Sequence, residues 1–351
     1  MKADFSARLL AWHKRHGRHD LPWQGGRDAY RIWLAEIMLQ QTQVAAVIQY
    51  YRRFLVRFPD IATLADASQD EVLRLWSGLG YYSRARNLQR AAQLVVARHG
   101  GVFPRTLEDI ADLPGIGRST AAAIAAFAYG TRAAILDGNV KRVLARHFAV
   151  DGFPGDKSVE NRLWRLAESL LPPRAIGRYT QAIMDLGATL CTRAKPHCDN
   201  CPLSNSCRAL RLDRVKDYPA PRKAKPLPTR ATHMLLLLRD GALLLEKRPP
   251  AGIWGGLWSL PEIDNATSAR AHCRKYYGCS IATPQALAPL AHGFTHFRLQ
   301  IQPLLCRVET LAPGVRAPGQ LWFSLEEAHG AAIPVPVRKL IERQLAQASP
   351  S

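Results

Sequence analysis

Leu113-Pro114-Gly115-Ile116-Gly117-Arg118-Ser119-Thr120, followed by the small apolar run Ala121 to Ala128, decides how this chain is read. The stretch predicts helix, tight hairpin, helix: Pro114 and the two glycines interrupt the helical spacing and the alanine-rich run resumes it. Glycines at 115 and 117 let backbone N–H groups come close to a phosphate, and the second helix adds the positive end of its dipole. An element of this kind grips a nucleic-acid backbone without reading its sequence. Taken alone, the same residues also make an ordinary helix connection with glycines chosen for turn geometry. The residues on either side carry the rest.

With 351 residues the chain exceeds the usual size of one domain and predicts two cores. Forty-eight Lys and Arg against 28 Asp and Glu leave a net charge of +20, which suits a polyanionic partner, nucleic acid ahead of an anionic membrane. The start scatters Lys2, Arg8, Lys14, Arg15 and Arg18 among apolar residues, with no continuous signal-peptide core. Aliphatic runs such as Met234 to Leu238 fall far short of the roughly 20 residues of a membrane span. A cytoplasmic, DNA-associated protein is expected.

Helical spacing holds to about residue 212, punctuated at Pro59, Gly100-Gly101, Pro104, Pro154-Gly155 and Pro172-Pro173. From Val215 to Arg230 the chain is rich in Pro and Lys and predicts an extended linker. Beyond it, Thr232 to Leu238, Ala242 to Lys247 and Phe297 to Val308 predict strands, and Thr267 to Tyr277 and Val335 to Gln347 predict helices. The expected layout is an all-α domain over 1–212, a linker over 213–229 and an α+β domain over 230–351.

Four of the seven cysteines form the pattern Cys191-x6-Cys198-x2-Cys201-x5-Cys207 after a helix, whereas Cys273, Cys279 and Cys306 are scattered without metal-like spacing. Four soft thiolates in one loop suit zinc or an iron-sulfur cluster. The single Cys-x2-Cys pair with wider flanking gaps favours iron-sulfur, although spacing alone does not settle it. Arg193, Lys195, Arg208 and Arg211 surround the loop, so it could present cations to phosphates as a rigid staple.

Two carboxylates stand out. Glu36 is the only charged residue between Arg31 and Arg52, set among Trp33, Leu34, Ile37, Met38 and Leu39. Burial would raise its pKa and keep it protonated, as a general acid requires; a solvated helix position is the bland reading. Asp137 lies in Leu136-Asp137-Gly138-Asn139-Val140-Lys141-Arg142 at the start of the next helix. A plain helix cap is the bland reading of Asp137 or Asn139, but a glycosidic bond that breaks through an oxocarbenium-like state needs a second, ionised carboxylate.

Together with Leu21-Pro22-Trp23, Glu36-Ile37-Met38-Leu39-Gln40-Gln41-Thr42-Gln43-Val44 and Gly78-Leu79-Gly80-Tyr81-Tyr82-Ser83-Arg84-Ala85-Arg86-Asn87-Leu88, these features resemble the endonuclease III superfamily of helix-hairpin-helix glycosylases, within it the MutY branch, across residues 1–212. The resemblance implies an N-terminal all-α helix-hairpin-helix glycosylase fold with an iron-sulfur loop and a C-terminal α+β Nudix-like domain. It implies one [4Fe-4S] cluster per chain on Cys191, Cys198, Cys201 and Cys207. It implies hydrolytic removal of adenine mispaired with 8-oxoguanine or guanine in duplex DNA, by a monomer with no membrane attachment.

Site residues follow from the same resemblance. Glu36 would protonate adenine N7 and handle the attacking water, Asp137 would stabilise the sugar cation, and Asn139 would orient both. Trp23, Gln24 and Gln181 would line the adenine pocket; Gln41, Thr42, Leu79 and Tyr81 would fill the gap left by the flipped base and touch the oxidised guanine. Gly115, Gly117 and Arg118 would hold DNA. Bifunctional relatives carry a Schiff-base lysine where this chain has Ser119, which implies no lyase chemistry by that route; some relatives carry tyrosine there. The run from Lys247-Arg248-Pro249-Pro250 through Trp254-Gly255-Gly256 to Leu260-Pro261 resembles the opening of the terminal Nudix-like module, and Phe294-Thr295-His296 its 8-oxoguanine-reading loop, with threonine in place of serine. Ala271, His272, Lys275 and Tyr276 stand where a working Nudix hydrolase places its metal-binding glutamates.

Two rivals remain at this level: a pyrimidine glycosylase with lyase activity, disfavoured by Ser119 and the second domain, and a noncatalytic lesion-binding protein, disfavoured by the carboxylate pair.

Overall fold

A computed structural model describes residues 2–222, 226–312 and 318–348. Lys223, Ala224 and Lys225 of the expected linker, and 313–317 and 349–351 of the expected second domain, lie outside the described residues. Helices α1 (Lys2–His16), α2 (Ala29–Leu39), α3 (Val44–Arg57), α4 (Ile61–Asp66), α5 (Gln69–Trp76), α6 (Ser83–His99), α7 (Leu107–Asp112), α8 (Arg118–Tyr129), α9 (Gly138–Phe148), α10 (Lys157–Ser169), α11 (Ile176–Asp185) and α12 (Arg208–Arg211) come first. Strands β1 (Thr229–Arg239), β2 (Ala242–Lys247), β3 (Trp258–Ser259) and β4 (Glu262–Ile263) follow, then α13 (Ala269–Tyr277), β5 (Cys279–Ile281), β6 (Gln285–Ala286), β7 (Leu290–Gly293), β8 (Arg298–Leu311), β9 (Gln320–Ser324), α14 (Leu325–Gly330) and α15 (Val335–Ala348). The chain divides into two compact units, residues 1–66 with 87–224 and residues 67–86 with 225–351.

In the first unit α8 sits at the centre on a largely small-residue surface: Ala121, Ala122, Ala123, Ala125, Ala126 and Ala128 are all buried, with Ile124 among them. Small residues let neighbours come close, and a side chain at Gly177 of α11 would meet the Ala126 carbonyl at 3.1 Å. Phe5 and Leu9 of α1, Val140 and Leu144 of α9 and Tyr179 and Ile183 of α11 share one core with α8. Leu9, Trp33 and Phe54 are wholly buried, and each such side chain contributes roughly 1.5–3 kcal/mol. Gly117 starts α8 and Gly130 ends it in the left-handed conformation.

The expected linker is extended only in part. Val215–Asp217 makes a short 3-10 turn, and Tyr218 is buried, its hydroxyl donating to Asp151 at 3.0 Å while its carbonyl accepts from Arg146 at 2.9 Å. The aromatic ring has an apolar seat and both of its polar groups have partners, which outweighs the breaking tendency of the prolines after it. Thr229 and Arg230 already belong to β1.

The second unit is a mixed sheet in the order β3-β2-β1-β8-β5, with β1 and β8 parallel from Thr229/Arg298 to Leu238/Arg307. Met234 to Leu237 in the middle of β1 are buried at successive positions, as expected of a strand covered on both faces. Cys273 and Tyr277 of α13 pack with Leu235, Leu237, Cys279 and Cys306, so all three scattered cysteines are core members. Residues 67–86 are tied to this unit: Lys247 pairs with Asp70, whose other oxygen accepts from Trp258 Nε1 at 3.2 Å. No described helix is long and apolar enough to cross a membrane.

Candidate active site

The helix ends set the site. Asp28 caps α2 by accepting from the Arg31 N–H, and the helix runs on through Glu36 to Gln40. There the chain reverses through Gln41, a non-glycine residue at φ 57°, before α3. The Gln40 amide reaches the Gly115 carbonyl at 3.4 Å and the Thr120 hydroxyl at 3.3 Å, joining this turn to the hairpin. Gly115 has φ 81° and a side chain there would meet Asn87 Cβ at 2.9 Å, so both conformation and space require glycine. At Gly117 the missing side chain opens onto empty space beside the N-terminus of α8, where an anion can approach. Arg118 pairs with Glu168 and lies 3.9 Å from the Trp164 ring centroid.

Two adjoining cavities, about 530 and 840 Å³, share Arg18, Trp23, Glu36 and Gln181. The smaller brings in Gln41, Thr42, Ser119, Asp137 and Asn139, and Gln24 lines the larger. Burial pushes the Glu36 carboxyl up to about 8, and the Asp137 charge adds to it. Burial raises Asp137 too, and the backbone N–H groups of Val140 and Asn139 and the charges of Arg142 and Lys141 offset only part of that rise. Asp137 caps α9, its Oδ1 accepting from Val140 N–H at 2.7 Å; the capping expectation and the site expectation fall on one residue. Two carboxyls share a cleft, and only one has strong donors. The proton therefore rests on Glu36 and the negative charge on Asp137.

Several contributors have no distinct signal in the sequence. Asp185 is fully buried at the end of α11. It accepts from Arg18 Nε at 2.8 Å and from the Gln181 amide at 2.8 Å, and lies 3.3 Å from His13 Nε2. Burial alone would raise Asp185; these partners more than offset it and hold the carboxyl low. Two cavity-lining side chains, Arg18 and Gln181, are thus fixed by one acid that the sequence does not set apart. Past Asp185 the helix widens into a π turn over Leu186–Leu190, and a side chain at Gly187 would strike Asn139 Cβ at 2.7 Å. Arg142 binds three groups there at 2.7 Å each: the Asn139 side-chain oxygen and the carbonyls of Gly187 and Cys191. Ser119 Oγ accepts from the Leu136 N–H at 2.9 Å, ordering the turn before Asp137.

Cys191, Cys198, Cys201 and Cys207 are half-buried in one loop. As these side chains stand, no three thiol, imidazole or carboxylate groups among the described residues converge on a metal-holding point. Their chemistry nonetheless fits a cationic centre. Burial, reinforced by the other cysteines' charges, raises Cys198 and Cys207 and pushes Cys201 up to about 11. Only a metal would convert such neighbouring thiols to thiolates together. Buried Arg146 donates to Cys191 Sγ at 3.4 Å and to the Thr192 carbonyl at 2.7 Å.

In the second unit Leu79 is buried and Tyr81 is 43% exposed at φ 48°. Phe294 stacks on Phe297 at 4.5 Å, and the Phe294 N–H donates to the Phe297 carbonyl at 2.9 Å, closing a turn between β7 and β8. Thr295 and His296 are exposed on that turn. Helix α13 reads ARAHCRKYY and holds no carboxylate.

Residues 34–169 match the family described as HhH-GPD superfamily base excision DNA repair protein, and residues 233–343 match the NUDIX domain. The adenine DNA glycosylase of Buchnera aphidicola subsp. Acyrthosiphon pisum (strain APS) is 37% identical over 339 residues, 96% of this chain and 97% of that protein. This chain belongs to the adenine DNA glycosylase family. The human adenine DNA glycosylase is 35% identical over 399 residues, covering 96% of this chain and 73% of the human protein. Among solved structures, a thermostable thymine-DNA glycosylase is similar with a TM-score of 0.54 and 31% identity, over 60% of this chain and 97% of that one. The enzyme is a DNA N-glycosylase of base excision repair, a hydrolase built from a helix-hairpin-helix glycosylase fold and a Nudix-like α+β domain.

Proposed function

We propose that the enzyme hydrolyses the N-glycosidic bond of adenine paired with 8-oxoguanine or guanine in duplex DNA, working as a monomer with no lyase step. The observation that carries this reading is the carboxyl pair in one cleft, Glu36 raised by burial and Asp137 supplied with backbone donors and nearby cations. The adenosine is flipped out of the stack and its base is received by Trp23, Gln24 and Gln181. Glu36 delivers its proton to N7, the C–N bond breaks, and the Asp137 anion stabilises the cationic sugar. Water adds to the sugar and returns a proton to Glu36, leaving adenine and an abasic site. Asn139, held by Arg142, orients the sugar side of the cleft, and Ser119 positions the turn that carries Asp137.

Gly115 and Gly117 receive the DNA backbone, with Arg118 beside them. Gln41, Thr42, Leu79 and Tyr81 occupy the gap and touch the opposite purine, which Phe294, Thr295 and His296 read from the second unit. The four cysteines would hold a [4Fe-4S] cluster, whose contribution is to stiffen a basic loop against phosphates. Domain limits of 1–212 and 230–351 with a linker between suit this division of labour. With no carboxylate on α13, the Nudix-like module acts in recognition.

The experiment is single-turnover adenine release from a duplex with one adenine opposite 8-oxoguanine, run against pH. The rate falls at high pH, about tenfold per unit beyond roughly 8, because the raised Glu36 carboxyl loses its proton there; it also falls at low pH as Asp137 is protonated. An alkaline limb centred near the ordinary carboxylate range would remove the sheltered acid. Borohydride added during turnover traps no protein–DNA adduct, since Ser119 stands where a lyase needs an amine. A trapped adduct would return the enzyme to the lyase class.

A further inference from the structure

The loop between α5 and α6 holds its own shape. Trp76 Nε1 and an Arg84 guanidinium N–H both donate to the Gly80 carbonyl at 3.1 Å, and the Arg84 guanidinium lies 5.5 Å from the ring centre of Tyr81 at the tip. Both ends of this loop are fastened to the rest of the second unit. On one side Ser77 Oγ donates to the Ile333 carbonyl at 2.7 Å and accepts from Arg338 at 3.1 Å. On the other, Arg86 donates to the Gly255 carbonyl. The turn before β3 that takes this bond is tightly built: a side chain at Gly255 would strike the Pro250 carbonyl at 2.5 Å, and one at Gly256 would come within 3.2 Å of Gln69.

Trp254, adjacent to Gly255, has a left-handed backbone at φ 54°, unusual and strained for so bulky a residue. Its buried indole lies 5.7 Å from the His292 ring and 5.5 Å from Phe294. One peptide step therefore separates the carbonyl that Arg86 grips from the ring that backs the Phe294-Thr295-His296 turn. Strained backbone of this kind persists where surrounding contacts over-determine it, and here they converge on the joint between two loops.

We propose that Arg86, acting through the Trp254-Gly255 step, is a positioning residue that holds the Tyr81 tip and the Phe294-Thr295-His296 turn at a fixed spacing, making them one reader of an oxidised purine opposite the substrate adenine. The inference rests on the roles given to those loops under the proposed function. Its physical basis is preorganisation: two contacts on one base reach full effect only when their spacing is preset, because a loose joint spends the second contact on ordering.

The test compares wild type, Arg86→Ala, Arg86→Lys, Thr295→Ala and the Arg86→Ala/Thr295→Ala double variant. Single-turnover rates are taken with adenine opposite 8-oxoguanine and opposite guanine. Arg86→Ala lowers the preference for 8-oxoguanine about tenfold, the size of one well-placed contact, with little change opposite guanine. Arg86→Lys recovers much of the loss, and the double variant loses no more than the larger single one. Hydrogen exchange on the DNA-free protein accelerates both at 78–83 and at 291–297 in Arg86→Ala. Losses that multiply in the double variant, equal losses on both duplexes, or faster exchange confined to the neighbourhood of residue 86 would overturn the proposal. A wild type indifferent to the opposite base removes the reader roles themselves, whereas the exchange result decides the mechanical link separately. Should Arg86→Ala not fold, Arg86→Gln gives the same comparison.

Discussion

Glu36→Gln abolishes adenine release from an adenine:8-oxoguanine duplex, lowering the single-turnover rate by about 10²–10⁴, the usual reach of a positioned acid, while the duplex is still bound. Glutamine keeps the shape and loses only the transferable proton. The same substitution makes the protein more stable, with a definite sign in pH. The folded-state carboxyl titrates at about 8 against an ordinary 4.5. Between those values the folded protein holds a proton that the unfolded chain has released, so the wild type loses stability as pH rises through that window. Glutamine has nothing to titrate. The variant therefore matches the wild type below about pH 4.5 and gains progressively above it, by up to about 3 kcal/mol at pH 7. Urea midpoints of the two proteins at pH 5 and pH 8 check this: a gap that fails to widen toward pH 8 means that no sheltered proton exists at position 36, and a Glu36→Gln enzyme with wild-type rate removes the acid from the reaction.

Activity and stability pulling in opposite directions at one residue is the mark of a site built for chemistry, and that conflict is legible in the sequence. A lone carboxylate inside Trp33-Leu34-Ala35-Glu36-Ile37-Met38 violates the apolar pattern around it, just as Gly115 and Gly117 violate the helical one. The sheet core in Met234 to Leu238 and the helix over α13 were equally open to pattern reading, because burial and periodicity are local properties. What stayed hidden depends on distant partners. Asp185 looks like any helix-terminal acid until Arg18 and His13, more than 160 residues earlier, come to surround it. Arg142 sits in a quoted motif, yet its bonds to Gly187 and Cys191 follow from a π turn that no sequence period announces. The allocation of residues 67–86 to the second unit is of the same kind, since it arises from single contacts such as Lys247 with Asp70 and Arg86 with Gly255. The burial of Tyr218 inside the stretch expected to be extended has a related reason: prolines mark where a chain cannot be regular, and they do not say whether an aromatic ring beside them finds a seat.

Asp137→Asn separates the two duties that one carboxylate performs. Asparagine caps a helix about as well as aspartate, so the Val140 N–H keeps an acceptor and the start of α9 keeps its shape. The anion is lost, and with it the electrostatic support of a cationic sugar; the single-turnover rate falls by roughly 10²–10³, as for removal of one preorganised charge partner. Asp137→Ala loses the anion and the cap together, so its rate falls at least as far and its stability drops by about 1 kcal/mol. A purely structural Asp137 would instead spare the rate in Asn and harm it only in Ala, in proportion to unfolding. The residual activity of Asp137→Asn carries a further signature. Burial is the larger cause of the raised Glu36 carboxyl and the Asp137 charge the smaller, so removing the charge moves the alkaline limb of the rate profile to lower pH without returning it to the ordinary carboxylate range. An unmoved limb would mean that the two carboxyls do not sense each other across the cleft, and the division of labour between proton donor and anion would then have no electrostatic basis.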